Sequence, residues 1–189
     1  METVSPNKAA EIVREGAVVL VPTETVVGLV CAEKGLPKVR EIKGREANKP
    51  IALLCRCSEE AFDLALEMPP LALKLAERYW PGPLTLVLRS RDGGTVGVRV
   101  PEGKAREVLE AYGEPLYATS ANLSGELPPK SLEEVDRRIV EAVDAVVEGE
   151  SGGGEASAVV DLSGGEPKLL RASEELTEAR LREMASGLI

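Results

Sequence analysis

The apolar residues of this chain form short runs separated by amphipathic segments. Residues 17–21 (AVVLV) and 51–55 (IALLC) are continuous apolar runs, which are typical of buried strands. Further strands are predicted over residues 84–88, 95–100, 115–120, 145–147, 158–162 and 168–171. Helices are predicted over residues 6–15, 37–42, 58–67, 71–79, 103–111 and 131–140. Because strands and helices alternate without an internal repeat or a long linker, the pattern predicts one α/β domain over residues 1–189, with a mixed sheet flanked by helices.

Small polar residues at the segment boundaries predict where the helices begin. Ser5, Ser58 and Ser173 are expected to cap the helices that follow them. Ser131 and Glu134 have the spacing of a capping box at the start of the helix over residues 131–140.

A hairpin is predicted at residues 92–94 (DGG), so the strand over 95–100 should pair antiparallel with 84–88. Its valines alternate with Thr95, Gly97 and Arg99, which places Arg99 on the face opposite the valines. A guanidinium there suits a carboxylate ligand, and the alternative is an exposed arginine on an edge strand. Arg171, at the end of the last predicted strand, has the same two interpretations.

Two predicted strands end in small polar residues. The stretch 116–126 (LYATSANLSGE) carries Ser120 and Asn122, and the segment after residue 22 carries Glu24 and Thr25. Open α/β sheets commonly place ligand sites at such strand ends, whereas the alternative for each is an ordinary polar loop. Glu24 is a candidate base, but a glutamate near a turn is more often solvated.

The composition excludes several kinds of chemistry. The 189 residues carry a formal net charge of −9 and no histidine, which excludes a Ser-His-Asp triad, a Cys-His pair and an HExxH zinc site. The negative net charge disfavours binding of a nucleic-acid backbone as the main function of the protein. Cys31, Cys55 and Cys57 make a poor zinc set and are predicted to be buried, reduced thiols of a cytoplasmic protein. No apolar segment has signal-peptide or transmembrane length.

Residues 43–50 (KGREANKP) concentrate three cations, Lys43, Arg45 and Lys49, in this acidic chain. Such donors suit phosphate oxygens, and the alternative is a solvated loop. The chain has no GxGxxG motif, and residues 151–154 (SGGG) are not followed by the Gly-Lys-Ser/Thr of a P-loop. A nucleotide would therefore bind in neither of those two manners.

Taken together, these segments resemble the YrdC-like L-threonylcarbamoyladenylate synthases in their single-domain form. The matching segments are 22–31 (PTETVVGLVC), 43–50, 80–88 (WPGPLTLVL), 95–101 (TVGVRVP), 118–125 (ATSANLSG) and 157–162 (SAVVDL), followed by Arg171. The resemblance covers nearly the whole chain. It implies a twisted mixed sheet with a concave, cationic cavity.

The resemblance also implies an activity. The enzyme would be a nucleotidyltransferase that joins L-threonine, bicarbonate and ATP into threonylcarbamoyl-AMP and releases pyrophosphate. The product would serve N6-threonylcarbamoyladenosine modification of tRNA, so the implied partner is a downstream threonylcarbamoyl-transfer machinery. ATP is expected as a substrate, together with Mg²⁺.

Each candidate residue receives a role from the resemblance. Lys43 and Arg45 are expected to stabilise charge at the reacting phosphate. The ATP contacts would be Arg45, Lys49, Thr95, Asn122, Lys130 and Arg171, and the threonine contacts Thr25, Leu54, Arg99, Ser120 and Ser157.

Two alternative functions remain open, and two departures from the family pattern support the first of them. Leu54 stands where many relatives carry histidine, and Glu46 stands where relatives often carry proline. A non-catalytic subunit that binds threonine or a nucleotide is therefore one alternative. The other is an RNA-binding module, which the net charge of −9 and the aromatic content of 3% disfavour.

Overall fold

The computed structural model describes residues 2–44, 50–152 and 154–187. Within them the strands are β1 (Thr3–Val4), β2 (Val18–Pro22), β3 (Val27–Cys31), β4 (Ala52–Leu54), β5 (Leu84–Arg89), β6 (Thr95–Arg99), β7 (Leu116–Ser120), β8 (Ala145–Val147), β9 (Ala158–Asp161) and β10 (Lys168–Arg171). The α-helices are α1 (Pro6–Arg14), α2 (Leu36–Lys43), α3 (Ser58–Asp63), α4 (Pro70–Tyr79), α5 (Gly103–Tyr112), α6 (Arg137–Ala142) and α7 (Glu178–Ala185).

These strands form one mixed sheet in the order β1-β8-β2-β3-β7-β4-β6-β5-β9-β10. The pairs β2–β3, β3–β7, β4–β7, β5–β6 and β9–β10 are antiparallel, and β1–β8, β2–β8, β4–β6 and β5–β9 are parallel. The predicted α/β class and mixed sheet are confirmed, as is the antiparallel pairing of β6 with β5. The sequence left β3 unassigned, although its residues are buried throughout.

Helices cover one face of the sheet more fully than the other. Along β5, Leu84, Leu86 and Leu88 pack in the core with α4 and α7. The residues of β2 are buried on both faces of the sheet. Those on one face pack with α2 and α6, and those on the other face pack with α1 and α5. The continuous apolar run of β2 follows from this burial on both faces. Thr85 and Val87 of β5 lie on the opposite face and line a cavity instead. The face that carries α1 and α5 therefore remains open along the second half of the sheet.

One predicted helix cap is confirmed and two are wrong. The hydroxyl of Ser5 accepts from the N–H of Lys8 and caps α1, but the N-cap of α3 is Cys57 rather than Ser58. The helix α3 also ends at residue 63 rather than 67, because residues 65 and 66 bridge to residues 89 and 90 beside β5. The final helix is capped by Thr177, while the hydroxyl of Ser173 accepts a hydrogen bond from the N–H of Leu176 in a preceding turn.

The capping box at residues 131–134 is also absent. Residues 132–134 form a short 3₁₀ helix, and the carboxylate of Glu134 accepts from the N–H of Lys130 at 2.8 Å. The helix α6 begins later, where Asp136 accepts from the N–H of Arg138 at 2.8 Å. Aspartate is a favoured N-cap residue, so it replaces the predicted serine.

None of the helices in the described parts of the chain combines the length and apolar character needed to cross a bilayer.

Candidate active site

A cavity of about 500 Å³ occupies the open face of the sheet. Strand alternation brings its wall together: Thr95, Gly97 and Arg99 of β6 face the cavity, while Val98 between them is buried in the core. This confirms the prediction that Arg99 lies opposite the valines. The described basic residues of the lining are Lys43, Arg99 and Arg171, and no acidic side chain lines the cavity within the described ranges.

Arg99 is held in place by three hydrogen bonds to two turns of the chain. Its Nε donates to the main-chain oxygen of Gly82 at 3.2 Å, and its Nη2 donates to Thr25 Oγ1 at 3.1 Å and to Glu24 Oε1 at 2.5 Å. The other terminal nitrogen, Nη1, has no hydrogen-bond partner among the described residues. Arg99 is 8% exposed and its strand lies between β4 and β5, which excludes the interpretation as an exposed edge residue.

Glu24 differs from the solvated side chain that the sequence predicted. Its side chain is only 15% exposed, because it pairs with Arg99. The second carboxylate oxygen, Oε2, is buried and has no hydrogen-bond partner among the described residues. Such unpaired buried oxygens are uncommon and call for a physical explanation.

Two threonine hydroxyls organise the turn that carries Glu24. Thr23 Oγ1 donates to the main-chain oxygen of Val26 at 2.6 Å and accepts from the N–H of Thr25 at 3.1 Å. Since Thr23 uses its proton on Val26, the Thr25 hydroxyl is the donor in the 2.9 Å contact between the two threonines. Thr25 thereby presents a lone pair to Arg99, which fixes the direction of the guanidinium.

Two glycines of the SGGG motif, Gly152 and Gly154, contact this turn. The N–H groups of Gly152 and Gly154 donate to the main-chain oxygens of Thr23 and Thr25, at 2.9 and 3.2 Å. A Cβ atom on Gly152 would lie 2.1 Å from the main-chain oxygen of Glu24, so the approach requires glycine at this position.

Lys43 is a buried residue at the end of α2 rather than a loop cation, which corrects the predicted loop over 43–50 at its first residue. Its Nζ donates to the main-chain oxygens of Ser120 and Asn122, at 2.5 and 2.7 Å. The N–H of Ser124 donates back to the main-chain oxygen of Lys43 at 3.1 Å. The end of α2 and the turn after β7 therefore brace each other. Arg45, Glu46 and Lys49 lie outside the described residues.

Ser120 and Asn122 both line the cavity at the end of β7. The Ser120 hydroxyl donates to Asn122 Oδ1, and the Asn122 amide donates to the main-chain oxygens of Leu123 and Glu126 at 2.9 and 2.8 Å. The asparagine side chain thus shapes its own turn, and its position at the cavity wall follows from that turn.

A second arginine stands at the β9–β10 end of the cavity. Arg171 donates from Nε to the main-chain oxygen of Ser157 at 2.6 Å and from Nη2 to the Ser157 hydroxyl at 3.1 Å. The Ser157 hydroxyl also contacts Thr85 Oγ1 at 3.0 Å. Burial of the guanidinium, together with the positive charge of Arg99, lowers the pKa of Arg171. The two arginines are therefore close enough to interact.

The cavity brings together most of the residues that the sequence singled out. Those that line it are Thr25, Lys43, Leu54, Thr95, Arg99, Ser120, Asn122, Ser157 and Arg171. Lys130 does not; it is exposed in an adjoining depression, which shares Arg171 with the cavity. Thr85 was missed, although a lone threonine in the apolar strand LTLVL is a signal that could have found it.

The cysteines do not form a site. Burial raises the pKa of Cys31 and of Cys55 to about 12, whereas Cys57 is exposed, so its predicted burial is wrong. Within the ranges that the structure describes, no three His, Cys, Asp or Glu side chains lie close enough to hold a metal ion.

Comparison with known proteins places the chain in a family. Residues 11–173 match the family model Sua5_yciO_yrdC, described as "Telomere recombination". The threonylcarbamoyl-AMP synthase of Pyrococcus abyssi is 38% identical in an alignment of 177 positions, which covers 86% of this chain and 52% of that protein. The threonylcarbamoyl-AMP synthase of Halorhodospira halophila is 37% identical in an alignment of 163 positions, which covers 78% of this chain and 83% of that protein.

A solved structure agrees with the sequence comparison. The crystal structure of P. abyssi Sua5 complexed with L-threonine superposes with a TM-score of 0.86 at 35% identity, covering 95% of this chain and 56% of that one. The chain thus spans about half the length of the Pyrococcus protein. The match over residues 11–173 confirms the resemblance seen in the sequence, and the chain belongs to the Sua5/YciO/YrdC family.

Proposed function

We propose that this chain is an L-threonylcarbamoyladenylate synthase, which forms threonylcarbamoyl-AMP and pyrophosphate from L-threonine, bicarbonate and ATP. The observation that carries the proposal is one cavity that holds two arginines of different surroundings, Arg99 and Arg171, with hydroxyl groups beside each. Such a cavity suits a small carboxylate and a phosphate chain side by side. The names of the Pyrococcus and Halorhodospira relatives support the same activity.

The amino acid would bind at the Arg99 end. The Nη1 group of Arg99 offers two N–H donors to the threonine carboxylate. The residues Thr25, Ser120 and Ser157 line the same cavity, and their hydroxyls would meet the polar atoms of threonine. Leu54, 5% exposed, supplies an apolar wall for its methyl group. The L-threonine bound to the Pyrococcus structure supports this part of the proposal.

The nucleotide would bind at the Arg171 end. Arg171 would contact phosphate oxygens, and Thr95 and Asn122 line the cavity wall for the rest of the nucleotide. Lys130 lies in the adjoining depression and would contact a nucleotide that extends out of the cavity. Arg45 and Lys49 remain proposed phosphate contacts outside the described residues.

The chemistry needs positioning more than acid–base groups. The threonine amine and bicarbonate form a carbamate with loss of water. A carbamate oxygen then attacks the α-phosphorus of ATP, the bond to the β-phosphate oxygen breaks, and pyrophosphate leaves. Alignment of the two substrates and stabilisation of negative charge on the phosphate would carry most of the rate enhancement. We propose that Lys43 and Arg45 stabilise that negative charge. Lys43 would also contribute by holding the main chain of Ser120 and Asn122 in place.

A resident metal does not fit the residues of the described chain, because they contain no cluster of metal ligands. We therefore derive no step through a metal site of the protein. Magnesium would instead enter bound to the phosphate oxygens of ATP, as a part of that substrate.

The proposal extends to the setting of the reaction. Residues 1–189 would act as a single domain, which the one continuous sheet of the described residues supports. The product would pass to a threonylcarbamoyl-transfer machinery that modifies tRNA, in the cytoplasm.

The test is threonine-dependent release of pyrophosphate from ATP in the presence of bicarbonate, with the adenylate identified by mass. The Arg99→Gln variant should raise the KM for threonine roughly 10- to 100-fold, since it loses a charge-assisted hydrogen bond. Binding of both ligands without turnover would instead indicate a non-catalytic subunit. RNA binding that falls steeply between two salt concentrations, without turnover, would indicate an RNA-binding module.

A further inference from the structure

Glu24 is a buried charged group that the proposed chemistry does not use. It does not line the cavity, but its Oε1 lies 2.5 Å from the Nη2 of Arg99, and the side chains of Glu24 and Arg99 are 15% and 10% exposed. Close ion pairs that are largely removed from water are weakly screened, so each charge strongly affects the field around the other.

The two ends of the cavity therefore differ in net charge, because only one of the two arginines is paired with a carboxylate. Arg99 is paired with a carboxylate, whereas the hydrogen bonds of Arg171 within the described chain go to two neutral oxygens of Ser157. The lowered pKa of Arg171 reflects burial and the positive charge of Arg99, and no carboxylate contributes to it. The Arg99 end is close to neutral overall, and the Arg171 end keeps its positive charge.

The unpaired oxygen of Glu24 adds to this difference. Within the described chain Oε2 is buried and accepts no hydrogen bond, so the hydrogen bonds of the carboxylate are made through Oε1 alone. The carboxylate of Glu24 attracts an ammonium group, and the neutralised Arg99 attracts a phosphate group less strongly than an unpaired arginine would. Weaker binding of the wrong ligand is a common source of specificity.

We propose that Glu24 determines which anion each end of the cavity accepts, by making the Arg99 end selective for the carboxylate of a zwitterionic amino acid and unfavourable for phosphate. The inference rests on the proposed function, since it concerns the amino-acid end of the same site. A cationic cavity that binds ATP faces a specific difficulty: a phosphate chain could occupy both arginines. A carboxylate behind Arg99 removes that competition without placing an acidic group on the cavity wall.

The variant test compares Glu24→Gln with wild type, because glutamine keeps an oxygen acceptor for Arg99 and removes the charge. Binding of L-threonine is titrated by calorimetry with and without inorganic pyrophosphate. In wild type, pyrophosphate should leave the threonine affinity nearly unchanged. In Glu24→Gln, the loss of the negative charge beside Arg99 should let pyrophosphate compete, with its inhibition constant against threonine falling about 10-fold or more. Glu150→Gln, which removes an exposed charge and changes the net charge equally, should behave as wild type.

A second measurement needs no variant. Wild-type protein should bind L-threonine at least about 10-fold more tightly than the 2-hydroxy acid with the same side chain, because the hydroxy acid lacks the ammonium group. Equal affinities, or equal competition by pyrophosphate in wild type and a folded Glu24→Gln variant, would overturn the assignment of Glu24. Absence of threonine binding and of threonine-dependent pyrophosphate release in wild type would overturn the proposed function instead.

Discussion

The side-chain amine of Lys43 lies 2.7 Å from the main-chain oxygen of Asn122, although the two residues are 79 positions apart in the chain. The amine also reaches the main-chain oxygen of Ser120, and Lys43 is 4% exposed. A buried ammonium group that donates to two peptide oxygens fixes the turn in which Ser120 and Asn122 stand. The lysine thus acts on both the stability and the shape of the cavity.

Replacing Lys43 by methionine should test this relationship. The Lys43→Met variant keeps most of the side-chain volume but removes the donor from two peptide oxygens. We expect the free energy of unfolding to fall by roughly 2–3 kcal/mol, measured by urea denaturation. Lys8→Met is the matched control, since Lys8 forms an exposed pair with Glu11 and its loss should change stability little. Equal stability of the two variants would contradict the bracing role.

The contact between Gly152 and Glu24 leads to a second prediction. The Gly152→Ala variant should displace the backbone at position 152 from the turn at Glu24, because the new Cβ would overlap the main-chain oxygen of Glu24. Overpacking of this kind typically costs about 1–3 kcal/mol, and we also expect weaker threonine binding because Thr25 of the same turn holds Arg99. Gly164→Ala is the control, since no heavy atom of the described residues, apart from its chain neighbours, lies within 4 Å of the added Cβ. Thermal unfolding and calorimetry measure the two effects.

The three cysteines should differ in their reactivity. Burial raises the pKa of Cys31 and of Cys55 to about 12, so at pH 8 their thiolate fractions should be roughly a thousandfold below that of an exposed thiol with an ordinary pKa of about 8.5–9. Cys57 is exposed. Iodoacetamide at pH 8 should add one group to the native protein and three in denaturant, as read by intact mass. Rapid addition of a second group to the native protein would contradict the burial.

The sequence predicted the elements of the fold better than their ends. Alternating and continuous apolar patterns located β2, β5 and β6, because burial on one or both faces leaves a periodic record in the sequence. Helix starts were less predictable: Ser131 and Glu134 have capping-box spacing, yet Asp136 was available two residues later and formed the cap. Local signals of similar strength compete, and packing decides between them.

The site was predictable where side chains face the ligand and unpredictable where they act on one another. The alternation of Thr95, Gly97 and Arg99 placed Arg99 on the cavity face correctly. The burial of Glu24 depends on Arg99, which lies 75 residues away, so no local pattern could indicate it. The burial of Lys43 among peptide oxygens of the turn after β7 has the same origin.

The Ser157 hydroxyl lies between Thr85 and Arg171 and leads to the last prediction. It contacts Thr85 Oγ1 at 3.0 Å and Arg171 Nη2 at 3.1 Å. In the Ser157→Ala variant Arg171 keeps its hydrogen bond to the main-chain oxygen but loses the one from Nη2, so the guanidinium should become less well oriented. A hydrogen bond of this kind contributes about 0.5–1.5 kcal/mol, so its loss should raise the KM for ATP roughly 2- to 10-fold.

Thr85→Val provides the matched comparison, because valine keeps the shape of threonine and removes the hydroxyl that contacts Ser157 without touching Arg171. Both Arg171 hydrogen bonds remain available in that variant, so its KM for ATP should rise less than in Ser157→Ala. Ser157→Ala should also raise the KM for threonine if its hydroxyl contacts that substrate directly, whereas Thr85→Val should not. Steady-state pyrophosphate release with each substrate varied in turn separates the two effects. If Thr85→Val raised the KM for ATP and the KM for threonine as much as Ser157→Ala does, the prediction would be contradicted. Binding would then depend on the network of hydroxyls rather than on direct contacts of Ser157.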